Sequence, residues 1–216
     1  MVRETSARLR WNQIAEDQLT PSIARTFVKQ FSLFTRQSRQ CWANVVGNCP
    51  HLKVRQFIVA ENLYEEEANE ETSHYNLIVA MGKAIGLTKE EIDNAVPSPT
   101  TQVAFLAWET LTKSRPWLEG LAAKMILERM NDKKLGNASA VESERWKRQL
   151  GISSQEVDFF NIHAEVDQIH GGETLAILEE HATTLEQQQA VVEAARLSLH
   201  VWTIFFEGIA NEALPQ

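Results

Sequence analysis

Apolar residues recur every three or four positions along almost the whole chain, and no segment alternates apolar and polar residues between hairpin turns. The pattern predicts helices from end to end. Residues 3–17 form a short first helix carrying Leu9, Trp11 and Ile14. Thr20 followed by Pro21 is an N-cap with proline at the first helical position. It opens a helix through Val46 whose inner face holds Ile23, Phe27, Phe31, Phe34 and Trp42. Gly47, Asn48 and Pro50 end it.

A third helix runs unbroken from His51 to Ile85 and stops at Gly86. Thr88 and Glu91 have capping-box spacing for a short helix, and Pro97-Ser98-Pro99 marks a turn. Another helix reaches Leu111 before the break at Ser114-Arg115-Pro116. Trp117 to Met130 is helical with Leu121, Met125 and Ile126 inside. Asn131 to Gly136 is a polar connection into a helix through Leu150, and Gly151 precedes a helix capped by Ser153 and Glu156 that runs through His170. Thr184 and Gln187 cap the last helix, which passes Phe205 and Phe206. Repeats, low-complexity tracts and linkers are absent from the sequence, so residues 1–216 read as one all-α domain.

Composition narrows the function. An apolar fraction of 44% fits a globular core, and a formal net charge of −8 without a Lys/Arg cluster argues against a nucleic-acid partner. Cys41 and Cys49 make no disulfide framework. The first twenty residues have no apolar leader core, and no run approaches the 18 or so apolar residues of a membrane span. A cytoplasmic protein acting without a membrane is expected.

Chemistry concentrates in Phe159-Phe160-Asn161-Ile162-His163-Ala164-Glu165-Val166-Asp167-Gln168-Ile169-His170. At about 100° per residue, His163, Asp167 and His170 share one narrow stripe with the apolar Phe159, Phe160 and Val166. Three polar groups on an inward face cost several kcal/mol unless something pairs with them. A first-row divalent metal meets that cost, since imidazole and carboxylate are good ligands for it. The plainer alternative is a core face with chance histidines.

Further ligands have to come from other helices. Glu128 shares the apolar face of Leu121 and Met125, where it either meets a cation or splays outward to pair with Lys124 one turn earlier. The run Glu65-Glu66-Glu67-Ala68-Asn69-Glu70-Glu71-Thr72-Ser73-His74 is mostly a solvated face. His74 can point inward beside Leu77, Ile78 and Met81. In a straight helix Glu71 and Glu67 share its face, and Glu66 joins them only if the helix bends. Carboxylates and histidines from facing helices, without thiolates, suit a dinuclear iron or manganese site better than zinc.

Taken together, Glu61-Asn62-Leu63-Tyr64-Glu65-Glu66, His74, Glu128 and His163-x3-Asp167-x2-His170 resemble the haem-oxygenase-like di-iron oxidases, relatives of pyrroloquinoline quinone synthase and thiaminase II. The resemblance covers Trp11 to Phe206. It implies a haem-oxygenase-like bundle of about seven helices, frequently dimeric, in which two Fe(II) ions, or manganese at one position, activate O2 against a small-molecule substrate such as an amino acid or fatty acid. The implied ligands are Glu66, His74, Glu128, His163, Asp167 and His170. The family often places glycine or proline between its acid and its histidine, whereas Ala68 stands here, which keeps Glu67 and Glu71 as alternatives. One branch makes para-aminobenzoate by sacrificing its own tyrosine. The only tyrosines here are Tyr64 and Tyr75, and Arg8 falls near the sacrificed position, so the resemblance disfavours that product.

Phe105, Trp108, Trp202 and Phe205 are candidate pocket walls, and His200 is either a substrate contact or a core histidine. A metal-free thiaminase-like hydrolase needs a cysteine in the middle or later helices, and none follows Cys49. The third class, a binding protein without catalysis, predicts lost ligands, but every ligand type is present.

Overall fold

The computed structural model describes residues 1–12, 19–67 and 72–213, with only the backbone of Glu67 and of residues 166–171. These residues are helical with no strand among them. Helix α1 (Val2–Arg8) leads to α2 (Pro21–Asn48), where Thr20 Oγ1 accepts the Ile23 amide at 3.3 Å as the N-cap. The predicted inner residues Ile23, Phe27, Phe31 and Trp42 are buried.

The third helix departs from its predicted straight run. Helix α3 (Leu52–Ile58) passes into a π-helical turn at Val59–Leu63 and then α4 (Tyr64–Glu67), and a new helix, α5 (His74–Ala84), starts beyond. Ser73 is non-helical (φ −58°, ψ 143°), and its hydroxyl accepts the Asn76 amide at 3.4 Å. Serine competes poorly inside a helix and well at its start, so the chain breaks there. The break places the Glu66 and His74 side chains against each other, which a straight helix with that spacing does not. The alternatives Glu67 and Glu71 lie outside the described side chains.

Helix α6 (Lys89–Asp93) has the predicted Thr88–Glu91 capping box. Helix α7 (Pro99–Glu109) ends in a second π-helical turn, Thr110–Ser114. Helix α8 (Trp117–Glu128) is the axis of the bundle: every residue from Leu118 to Leu127 is buried, and the later helices α10 (Asp158–His181) and α11 (Leu185–Ala213) pack on it with α2. Between them, α9 (Ala138–Leu150) follows two 3-10 turns and lies against α10. Trp108 Nε1 donates to Ser198 Oγ at 3.0 Å, and Ser198 Oγ donates to Ala123 O at 2.6 Å, tying α7, α11 and α8 together inside the core. The Thr184–Gln187 cap of α11 forms reciprocally, at 3.2 and 3.0 Å. None of the described helices is long and apolar enough to cross a membrane.

Candidate functional site

A cavity of ≈ 140 Å³ open to a water-sized molecule runs into the bundle. Its body is aromatic, with Phe27, Phe31, Phe34, Phe160, Trp202 and Phe206 in its wall. Its polar end gathers Asn62, Glu65, Glu66, His74, Glu128 and His163 from the first π-turn, α4, α5, α8 and α10. Phe105, Trp108 and Phe205 are packed into the core instead of lining it, and His200 is exposed at the surface, serving neither predicted role.

His74 Nδ1 lies 3.2 Å from Glu66 Oε2, and Nε2 lies 3.9 Å from Glu65 Oε2. Glu66 is buried. Burial resists its ionisation, but the charge and hydrogen bond of His74, the charge of Lys124 and a hydrogen bond with Ser38 together outweigh it and hold the carboxyl below its ordinary range. The His163 and His74 rings stand 4.4 Å apart between centroids. His163 Nδ1 is 2.6 Å from Phe159 O, one turn back. A carbonyl only accepts, so Nδ1 carries the proton and Nε2 is left as the basic nitrogen.

Glu128 is half-buried and accepts a hydrogen bond from Asn62 Nδ2 at 2.8 Å. Asn62 Oδ1 is buried without a hydrogen-bond partner among the described residues. Asp167 and His170 belong to α10, but their side chains lie outside the described residues. Among the described residues alone, no three His, Cys, Asp or Glu side chains converge as a metal-holding group.

The family described as iron-containing redox enzymes matches residues 25–203. The chain belongs to this family. A 4-aminobenzoate synthase of Nitrosomonas europaea is 25% identical over 204 residues, covering 90% of this chain and 80% of that protein. Among solved structures, a domain of unknown function with a heme oxygenase-like fold from Shewanella denitrificans superimposes with a TM-score of 0.82 at 19% identity, over 98% of this chain and 88% of its own. A TenA homolog from Pseudomonas syringae pv. tomato gives 0.77 at 17% identity (97% and 87%). A CADD-like protein of unknown function from Nostoc punctiforme gives 0.74 at 15% (98% and 92%). The fold is haem-oxygenase-like.

This iron-containing redox enzyme family member also holds polar groups that periodicity does not single out. Lys124 is buried on α8, with Nζ donating to Ser38 Oγ at 2.7 Å. Its signal in the sequence is a lone charge inside Leu121-Ala122-Ala123-Lys124-Met125-Ile126-Leu127. At another wall of the cavity, Glu142 accepts the indole protons of Trp11 (3.3 Å) and Trp146 (3.2 Å) and pairs with Arg145. Burial pushes its carboxyl above the ordinary range, against these partners. Trp146 stands one turn from Glu142 on α9, a local spacing, whereas Trp11 comes from 131 positions away and leaves no local pattern to read.

Proposed function

We propose that this family member is a non-haem di-iron oxidase that uses O2 to oxidise a small molecule held in the aromatic cavity. Glu66, His74, Glu128, His163, Asp167 and His170 are its proposed ligands, for two Fe(II) ions or manganese at one position. The observation that carries the reading is the pair of imidazoles from α5 and α10, 4.4 Å apart, at the polar end of a cavity with a largely aromatic body. The donor set fits the ions: oxygen and nitrogen donors come from separate helices, His163 has its Nδ1 proton committed to a backbone carbonyl, and Asn62 carries a buried oxygen with no hydrogen bond among the described residues.

Bound iron supplies the electrons with which O2 is activated. The chain's own work is different. Phe159 O fixes the His163 tautomer, Glu66 aligns the His74 ring, and Asn62 orients Glu128. The aromatic wall excludes water from the bound substrate, which strengthens the electrostatics of the polar end.

The relative named 4-aminobenzoate synthase raises that product as a second reading. A tyrosine spent as the substrate has to reach the polar end. Tyr64 is exposed, Tyr75 is held by Asp93 with Arg36 over its ring at 5.2 Å, and neither lines the cavity. An external substrate is therefore the better reading. Cysteine chemistry is also disfavoured, since burial pushes the Cys41 and Cys49 thiols up and neither lines the cavity.

Anaerobic Fe(II) titration tests the proposal. About two ions should bind per chain, as a bundle site with six such ligands requires, and Glu66→Ala or His163→Ala should lower the number. Oxygen added to the loaded protein should give an optical transient that both variants lack. One zinc and no iron per chain sinks the reading.

A further inference from the structure

Lys124 lies in the fully buried stretch of α8 and is only 5% exposed. An interior ammonium is costly unless opposite charge or hydrogen bonds compensate it. Nζ donates to Ser38 Oγ at 2.7 Å and sits over the Trp42 ring at 5.1 Å and the Phe34 ring at 5.6 Å. None of the ion pairs among the described residues includes Lys124. An ammonium has three N–H donors, and the serine takes one. Aromatic faces attract the charge but accept no strong hydrogen bond. Lys124, Ser38, Phe34 and Trp42 all line the cavity, so the remaining donors belong to a group that a bound molecule can reach.

The charge balance points the same way. Ser38 also hydrogen-bonds Glu66, so the lysine stands one hydroxyl away from a proposed ligand. Two divalent ions balance the three carboxylates proposed to hold them together with Glu65 at the same end, and Lys124 adds a positive charge beyond that balance. Once Glu66 is committed to metal, it no longer balances the ammonium. The field at this end of the cavity then selects an anion.

We propose that Lys124 anchors the substrate's anionic group: the cavity takes a small amphiphilic carboxylate whose acid meets the ammonium and whose apolar body lies against Phe31, Phe34, Trp202 and Phe206. This rests on the cavity being the substrate pocket of the proposed oxidase, and it narrows the substrate class to apolar acids. Ser38 and the two rings orient Nζ before the acid arrives, which lowers the entropic cost of the contact.

The test uses anaerobic Fe(II)-loaded protein, so that nothing turns over, with octanoate, 1-octanol and octylamine as probes and calorimetry as readout. Octanoate should bind about tenfold or more tighter than octanol, the effect of one charge-assisted contact, with octylamine weakest. In Lys124→Met, octanoate should fall to the octanol level while octanol binding stays unchanged. Lys124→Gln keeps a donor for Ser38 without the charge and carries the same comparison should the methionine variant not fold. Equal binding of octanoate and octanol by the wild type overturns the proposal. So does an undiminished preference for octanoate in either folded variant, which assigns the acid to the metal instead. Iron is counted in every sample: two ions per chain without a lysine-dependent preference refutes the anchor alone. A lysine-dependent preference without iron refutes the oxidase alone.

Discussion

Lys124 and Glu128 stand one turn apart on α8 and turn to different partners: Lys124 donates to Ser38 on α2 at 2.7 Å, while Glu128 accepts from Asn62 in the first π-turn at 2.8 Å. Opposite charges four apart on an exposed helix pair readily for a few tenths of a kcal/mol. Inside the bundle each is worth more to a group on a neighbouring helix, where no water competes. The polar end is thus assembled by helix-to-helix contacts, and α8 supplies two of its charges to opposite sides.

Asn62 is the contribution of the π-turn to the cavity lining and the first place to test this arrangement. Asn62→Ala removes the donor from Glu128 and should cost about 1–2 kcal/mol of stability in metal-free protein. Loss of an orienting partner should also weaken iron binding by roughly tenfold or more, with the stoichiometry preserved at saturating iron. Thermal melts and titration against a competing chelator check the two parts separately.

Glu66 gives a pH signature. Its folded carboxyl is held below the ordinary value of 4.5, so the ionised group is the one the fold favours. That contribution is fully present above the unfolded pKa and is lost as pH falls through the folded one. In metal-free protein Glu66→Gln should therefore melt lower than wild type at pH 7, and the two curves should converge as the pH is taken down through the lowered folded pKa. Glu66→Gln should also lose iron while Glu71→Gln keeps it; the reverse would move the ligand to a residue outside the described chain.

Much of the fold was legible because caps and periodicity agree: Thr20, Thr88 and Thr184 start helices where their spacing predicts. The acid of α4 was not decidable from spacing, because the choice among Glu66, Glu67 and Glu71 depends on where the helix breaks. Ser73 supplies that break, and its cap is a weak local signal beside the five glutamates of residues 65–71, which favour a continued helix. Lys124 was undecided for another reason. Its i,i+4 spacing to Glu128 allows a surface pair, and only Ser38, 86 positions away, shows that it points inward. Glu142 has one partner in its own helix, Trp146 at i+4, but its contact with Trp11, 131 positions away, is one that helical period does not encode.

Close packing of α7 on α11 offers a test that is independent of the chemistry. A Cβ placed on Gly208 would come within 2.6 Å of Thr100 Cβ, an atom fixed to its backbone. Gly208→Ala should therefore destabilise by roughly 1–3 kcal/mol through overpacking, despite alanine's better helix propensity. Thr100→Gly in the same protein should restore part of the loss, and thermal melts of the double-mutant cycle measure how much.

Gly172 presents the opposite case, and it bears on how metal couples to the fold. It sits in mid-helix on α10, exposed, and a Cβ there would meet nothing within 4 Å. With Gly171 beside it, the helix that carries His163, Asp167 and His170 has lower intrinsic propensity than its neighbours. Without metal, Asp167 is proposed to share the polar end with Glu66 and Glu128, and converging carboxylates in a low dielectric repel one another. The weakest helix should open to relieve that repulsion. Amides of residues 158–181 should then exchange faster in metal-free protein than those of α8, and Fe(II) should slow them while raising the melting temperature. Gly172→Ala should gain about 0.5–1 kcal/mol and slow the same amides before any metal is added, narrowing the effect of iron. If residues 158–181 are equally protected with and without iron, the helix is preformed, and repulsion among its proposed ligands is not what iron relieves.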